Sequence, residues 1–373
     1  MVAAKSKPRP GIAMTRTALR GLFCAAALAM AAQAAHAEPN EDCDRPAVVI
    51  PGFIGAEPVD QPKMRYPRNA LDDWSEGWVL LEFAVTPQGV PANITVVDAI
   101  GPKDFVKVAV EGVGRWRYKP ATRNGVPVEQ SFYSIDVQFL FTDSRKAADH
   151  QEFVSKYKRA RGHIRNDRPD EAIAELERAF RTRLNLYEAA MGSFVLAVAY
   201  AHKADWERAL YHARHANIDQ GKYLEKAMVP HALALETEFN ARTGNFREAV
   251  CGFERLKKVD ATLAAPDSQL GKMIAGIDAA MKGKEPIGID ARLAKHPLVD
   301  DAPAVWRHRL LRSKFWFAEI KGEVKSYRLA CVGTAHEAPI DPETLWNVPN
   351  KAGPCILRVE GQPGATFKLV EEW

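Results

Sequence analysis

From Trp78 to Val85 the chain alternates: Val79, Leu81, Phe83 and Val85 fall on one side, which predicts a strand with one buried face. "TPQG" follows, with Pro87 and Gly89 placed for a tight reversal, and "ANITVV" predicts a second strand. From Lys103 onward, Phe105, Val108, Ala109, Gly112 and Val113 recur at helical spacing on one face. In "SFYSIDVQFLF" (131–141), Tyr133, Ile135, Val137, Phe139 and Phe141 alternate with Ser134, Asp136 and Gln138. That is the pattern of a strand buried on one side only. As the last strand of its unit it is expected at a sheet edge, with unpaired backbone groups. Ser134, Asp136 and Gln138 would then face a partner strand and select its side chains; the alternative is that the helical region or the first mature segment covers this edge within the same chain.

Between the helix and this strand lies "GRWRYKPATRNGVPV" (114–128), basic residues interleaved with aromatics. Such a mixture fits either a nucleic-acid surface or a strand and a turn. Alternation sets Trp116 and Tyr118 on one face and Arg115, Arg117 and Lys119 on the other. Pro120 cannot donate to a ladder and ends the strand, and Asn124-Gly125 turns the chain back. Charge decides between the two readings. The chain holds 51 Lys+Arg and 47 Asp+Glu; residues 1–37 contain five of the basic residues and no acidic one, which leaves 46 against 47. A neutral remainder has no long-range field for phosphate backbones, so strand and turn is the reading kept.

"YPRNA", "EGWVLLEFAVTPQG", "WRYKPATRNGVPV" and "VQFLF" stand in the order and spacing of the TonB C-terminal domain family, which residues 63–143 resemble. The matching positions are Tyr66, Pro67, Glu76, Gly77, Gly89, Trp116, Arg117, Tyr118, Pro120 and Ala121. The resemblance implies a small α+β domain, a three-stranded antiparallel sheet with helices on one face. It also implies a partner: in energy-transducing members this domain binds a short segment of outer-membrane transporters by strand addition.

Residues 150–285 change to helical patterning. "DEAIAELERAF", "DWERALYHARHA" and "NFREAVCGFERL" align on Ala172, Ala209 and Ala249, spaced by 37 and 40 residues. That is a little longer than the ~34 of a tetratricopeptide repeat, and the stretch resembles a degenerate array of such helical hairpins, about two and a half units long. Arrays of this kind make concave surfaces that hold polypeptide. Residues 286–373 return to β patterning, with hairpins expected around Lys321-Gly322 and "GQPG" and with Trp316, Trp346 and Phe367 as core residues. A small all-β sandwich or open barrel is expected there.

The N-terminus places the chain. Five basic residues precede the uncharged "GLFCAAALAMAAQAA", and "AHA" ends it, so residues 1–37 are expected to be a signal peptide cleaved after Ala37. The protein is then exported to the periplasm over a Pro-containing linker, 38–62; an uncleaved inner-membrane anchor is the alternative. Four cysteines remain, Cys43, Cys251, Cys331 and Cys355. Export permits disulfides, and Cys331 with Cys355, on neighbouring predicted strands, are expected to pair. Cys43 and Cys251 are left unpaired. Catalytic signatures are missing: no Gly-x-Ser-x-Gly and no His-Glu-x-x-His is present. His212 and His215 stand three apart without a third ligand at metal-like spacing, which reads as a solvated helix face. No metal, cofactor, nucleic acid or small-molecule substrate is expected. The expected function is a non-enzymatic exported protein-interaction module that binds a protein or extended peptide, or a second copy of itself. A TonB-type energy transducer supporting transport through outer-membrane receptors is the alternative.

Overall fold

The computed structural model describes residues 51–141, 151–181, 184–295, 303–331, 334–342, 344–348 and 355–373. The expected signal peptide with its cleavage site, and Cys43, lie outside the described residues. No helix among them is long and apolar enough to cross a membrane.

The first unit begins inside the expected linker. Residues 53–60 form two short strands, β1 (Phe53–Ile54) and β2 (Glu57–Asp60), followed by α1 (Arg68–Asp72), β3 (Gly77–Val85) and β4 (Pro91–Ile100). Helix α2 (Lys103–Gly114), β5 (Arg117–Lys119), β6 (Ala121–Arg123), β7 (Val126–Val128) and β8 (Gln130–Phe139) complete it. β1 pairs with β6 and β2 with β5, so this part of the expected linker is tied down by backbone bonds. Its prolines did not prevent pairing because an edge strand needs donors on one side only.

The main sheet has the order β4-β3-β8, antiparallel throughout. Val79, Leu81, Phe83 and Val85 bury one face against Phe105, Val106, Ala109 and Val113 of α2. Asn124 and Gly125 make a two-residue hairpin between β6 and β7, both at positive φ (51° and 82°). Trp116 and Tyr118 turn to the core while Arg117 and Lys119 stay exposed. Gly89 (φ 74°) is sterically required: a Cβ there would lie 1.9 Å from the carbonyl oxygen of Tyr118.

Next come α3 (Gln151–Arg165), α4 (Pro169–Phe180), α5 (Leu186–His202), α6 (Trp206–Ala216), α7 (Val229–Arg242), α8 (Phe246–Val259) and α9 (Gln269–Lys282). α3 packs on α4, α5 on α6, α7 on α8, and α9 on α8. Ala172, Ala209 and Ala249 are fully buried, where a small side chain lets helices approach closely. Five residues before each alanine the chain takes positive φ, at Asp167 (53°), Ala204 (54°) and Gly244 (77°). The next residue's N–H then reaches back five positions, from Arg168 to His163 (2.9 Å), Asp205 to Tyr200 (3.0 Å) and Asn245 to Asn240 (2.9 Å). Three helix pairs thus share one left-handed helix-ending turn.

The last unit contains β9 (Ile287–Arg292), β10 (Ala304–Arg309), β11 (Lys314–Lys321), β12 (Val324–Cys331), β13 (Thr334–Pro339), β14 (Trp346–Asn347), β15 (Ile356–Gly361) and β16 (Thr366–Glu372). Two four-stranded sheets, β10-β15-β12-β13 and β14-β11-β16-β9, enclose one apolar core. Neither expected hairpin forms. The Lys321-Gly322 turn carries the chain from β11 in one sheet to β12 in the other, and "GQPG" does the same from β15 to β16. Gly322 (φ 82°) and Gly364 (φ 83°) do make the reversals, but a turn does not dictate which sheet the next strand joins. Phe315, Phe317 and Phe367 fill the core and Trp346 packs at its margin. Trp316 lies on the other face of β11, only half-buried. Cys331 and Cys355 are bonded across β12 and β15, with 4.2 Å between their Cα atoms. Cys251, expected to be unpaired, is also disulfide-bonded.

Candidate functional site

The second face of the β4-β3-β8 sheet follows from its register. Residues alternate with the buried set on β3, so Trp78, Leu80 and Glu82 point away from α2. Three rows cross the sheet: Ile100–Trp78–Gln138, Asp98–Leu80–Asp136 and Thr95–Glu82–Ser134. All three expected partner-binding residues therefore lie on this face, in the rows of β8.

β8 is laddered to β3 alone, and no described strand pairs with its outer edge. Ser134 and Asp136 are exposed. Gln138 is engaged from within the chain: its carbonyl accepts from the Tyr223 hydroxyl (3.1 Å), and its amide donates to Asp136 (3.0 Å) and Asp219 (3.4 Å). Strands β12 and β13 lie against β8, and Arg328 stands 3.5 Å from Glu129 just before it.

The helical unit covers the first two rows. Trp78 and Ile100 pack against a cluster that contains Leu186, Ala190, Ile218, Tyr223 and Leu224. Asp98 accepts from its neighbour Ala99 N–H (2.8 Å) and pairs with His215 at 2.7 Å. Glu76, 1% exposed, ties both units: one carboxylate oxygen accepts from Phe141 N–H (3.0 Å) and the other from Leu186 N–H at the start of α5 (3.1 Å). A carboxylate at a helix N-terminus sits at the positive end of its dipole. The C-terminal sandwich covers the third row. Arg307 donates to both carboxylate oxygens of Glu82, and Arg358 donates to the Thr95 hydroxyl (2.7 Å).

The remaining motif residues pack within the first unit. The Tyr66 ring meets Phe105 and Phe139 edge-on, and its hydroxyl donates to the Ser75 carbonyl. Burial, then the charge of Glu76, pushes that hydroxyl above the ordinary tyrosine range. Pro67 precedes α1 as its N-cap. Gly77 has no room for a side chain, since a Cβ would lie 2.3 Å from the Phe105 ring. Trp116 donates to the Pro62 carbonyl (3.4 Å). Tyr118 is pushed up to about 12, chiefly by burial. Pro120 separates β5 from β6.

His212 and His215 do not lie on a solvated face. His215 is 4% exposed, and His212 is stacked flat on Tyr200 with its Nδ1 closed off from solvent. The helical pattern places them three apart, but Asp98, which pairs with His215, is on a strand distant in sequence, and Tyr200, which covers His212, is on the preceding helix. No group of three His, Cys, Asp or Glu side chains among the described residues could hold a metal. Sequence reasoning missed Glu82, Asp98 and the arginines that meet this face. The signal available was Trp78, a large apolar residue on the outward side of β3.

The fold of the first unit is thus an antiparallel α+β domain with one helix-covered face and a second face turned to the rest of the chain. Residues 62–141 match the family model described as the Gram-negative bacterial TonB protein C-terminal, and this segment is a TonB C-terminal domain. Over 81 residues the chain is 33% identical to Protein tonB2 of Pseudomonas aeruginosa, a match that spans 22% of this chain and 30% of that protein. The chain therefore covers less than a third of that curated relative. The solution NMR structure of the Pseudomonas aeruginosa TonB CTD matches 23% of this chain and 87% of its own, at 21% identity and a TM-score of 0.20.

Proposed function

We propose that this protein is a non-enzymatic, exported polypeptide-binding module that accepts an extended strand at the outer edge of β8. The observation that carries the reading is the ladder: β8 pairs with β3 alone, and Ser134 and Asp136 are exposed beside its outer edge. Backbone N–H and C=O groups of an added strand supply affinity, and these side chains select its residues. The helix pairs, read as a tetratricopeptide-like array, add a second polypeptide-binding surface. The periplasm is the compartment that fits, because the Cys331–Cys355 bond needs an oxidising one.

A second reading, a component of TonB-type energy transduction, rests on the segment shared with Protein tonB2. Release of the protein by osmotic shock counts against that reading, and retention with the inner membrane supports it. The strand-addition reading is tested with Asp136→Pro, which removes one β8 donor and distorts the ladder without touching the apolar face. The probes are synthetic peptides from short periplasmic segments of outer-membrane transporters. At least a tenfold loss of affinity, with circular dichroism unchanged, is expected. Unaltered binding and self-association in a folded variant rule the edge out.

A further inference from the structure

Three joints hold the three units together, and they differ in chemistry. The TonB-like and helical units share an apolar cluster, with Trp78 and Ile100 packed on Leu186, Ile218 and Tyr223. The helical unit and the sandwich share another, in which Phe246 and Met281 pack on the sandwich core. Arg312 strengthens that second joint by donating to the carbonyls of Ala280 and Gly283 at the C-terminal end of α9. The joint between the sandwich and the TonB-like sheet has no such cluster among the described residues, and polar side-chain contacts cross it. They are Arg307 on Glu82, Arg358 on Thr95 and Arg328 beside Glu129.

The arginines are in register. Arg307 lies opposite Arg358, and Arg358 opposite Arg328, so three guanidinium groups stand abreast on β10, β15 and β12. Like charges directly opposite on a sheet repel. Acidic groups offset the repulsion: Glu82 on Arg307, Glu360 on Arg358 (2.9 Å), and Glu129 and Glu337 on Arg328 (both 3.5 Å). Two of those four carboxylates, Glu82 and Glu129, belong to the TonB-like unit. Burial first, and then the two neighbouring arginines, pull the Arg358 guanidinium below its ordinary range, with Glu360 and Glu82 opposing them.

We infer that the C-terminal sandwich is a releasable cover on the TonB-like sheet, clasped by the Arg307–Arg358–Arg328 row and lifted off by swinging at the helical unit. Interfaces that separate are polar, whereas permanent ones resemble a core cut in half. Of the three joints, this one alone fits the first description. Helix pairs that touch only their neighbours can flex as a stack, which supplies the hinge. β12 and β13 lie against β8, so lifting the sandwich frees the part of the strand that they cover, while Gln138 stays engaged by the helical unit. That consequence rests on the edge-binding reading above; the clasp itself does not.

The test uses the full chain and needs no partner. Glu82→Arg sets a fourth positive charge against the row. The expected result is faster amide exchange over residues 130–139, by at least tenfold, and a larger radius of gyration by X-ray scattering. Exchange in α5 should stay slow. Adding Arg307→Glu to Glu82→Arg restores opposite charges and should restore the closed state. Should Glu82→Arg fail to fold, Thr95→Val removes only the acceptor of Arg358 and is read in the same way at raised salt. Folded variants with wild-type exchange over 130–139 and wild-type dimensions overturn the clasp. Opening without any gain in transporter-peptide affinity upholds the clasp and counts against the β8 edge as the binding site.

Discussion

His212 is held neutral by its surroundings. Its ring stacks on Tyr200 with 5.4 Å between centroids, and its pKa is brought down to about 3, first by burial and then by His215, with Asp98 opposing. The unfolded chain takes up this proton near pH ~6.5, and the native state does not until about pH 3. Stability therefore falls as pH drops through that window, by roughly 1.4 kcal/mol per unit, or about 2 kcal/mol at pH 5. His212→Phe keeps an aromatic ring on Tyr200 and removes the titration. Urea unfolding at pH 7.5 and pH 5 should show a smaller acid loss in the variant by about that amount; an equal loss means the proton binds elsewhere. The two histidines were visible in the sequence, but their surroundings were not, because the carboxylate that pairs with His215, Asp98, is on a strand of another unit and the ring that covers His212, Tyr200, is on another helix. Glu76 shows the same limit. Its motif was legible, yet its task of joining β8 to the start of α5 depends on two partners far apart in the chain.

At the scale of elements, patterns bounded by local chemistry were legible. Alternation on β3, the Asn124-Gly125 hairpin and the helical spacing of α2 all depend on neighbours in sequence. The sandwich shows where this stops. Alternation identified β11, β12, β15 and β16, but each tight turn crosses from one sheet to the other, so nearest-neighbour pairing failed. The Cys331–Cys355 bond follows from the observed pairing, since Ala330 lies opposite Ile356. It closes a loop with a sequence separation of 24 and contributes roughly 3–4 kcal/mol in the chain-entropy model. The double variant Cys331→Ser, Cys355→Ser should lower the unfolding free energy by about that much in denaturant titration. A loss below ~1 kcal/mol would show that β12 and β15 hold without the bond.

At the scale of the whole molecule, the TonB-like unit differs from a freely swinging terminal domain because its second sheet face is occupied by its own chain. Periodicity reports that a face is apolar or wet, not which distant surface meets it, so this arrangement was beyond the sequence. Covalent chemistry adds a further tie. Cys251 on α8 is disulfide-bonded, while Cys331 and Cys355 are bonded to each other, so neither is its partner. With residues 1–37 removed as expected, Cys43 is the cysteine that remains, ten residues before β1. The prediction is that the two are bonded, which would link the entry to the TonB-like unit with the third helix pair and close a loop long enough to contribute about 5 kcal/mol in the chain-entropy model. Peptide mapping of the exported protein without reductant should recover one cross-linked fragment carrying Cys43 and Cys251. Recovery of both as separately alkylated thiols would defeat the pairing. Reduction should also raise amide exchange in β1 and β2 before it affects β3, because those short strands lie nearest the released end. Such a tether would limit how far the TonB-like unit can leave the array, so release of the sandwich would open the Thr95–Glu82–Ser134 row while the helical unit keeps the other two covered.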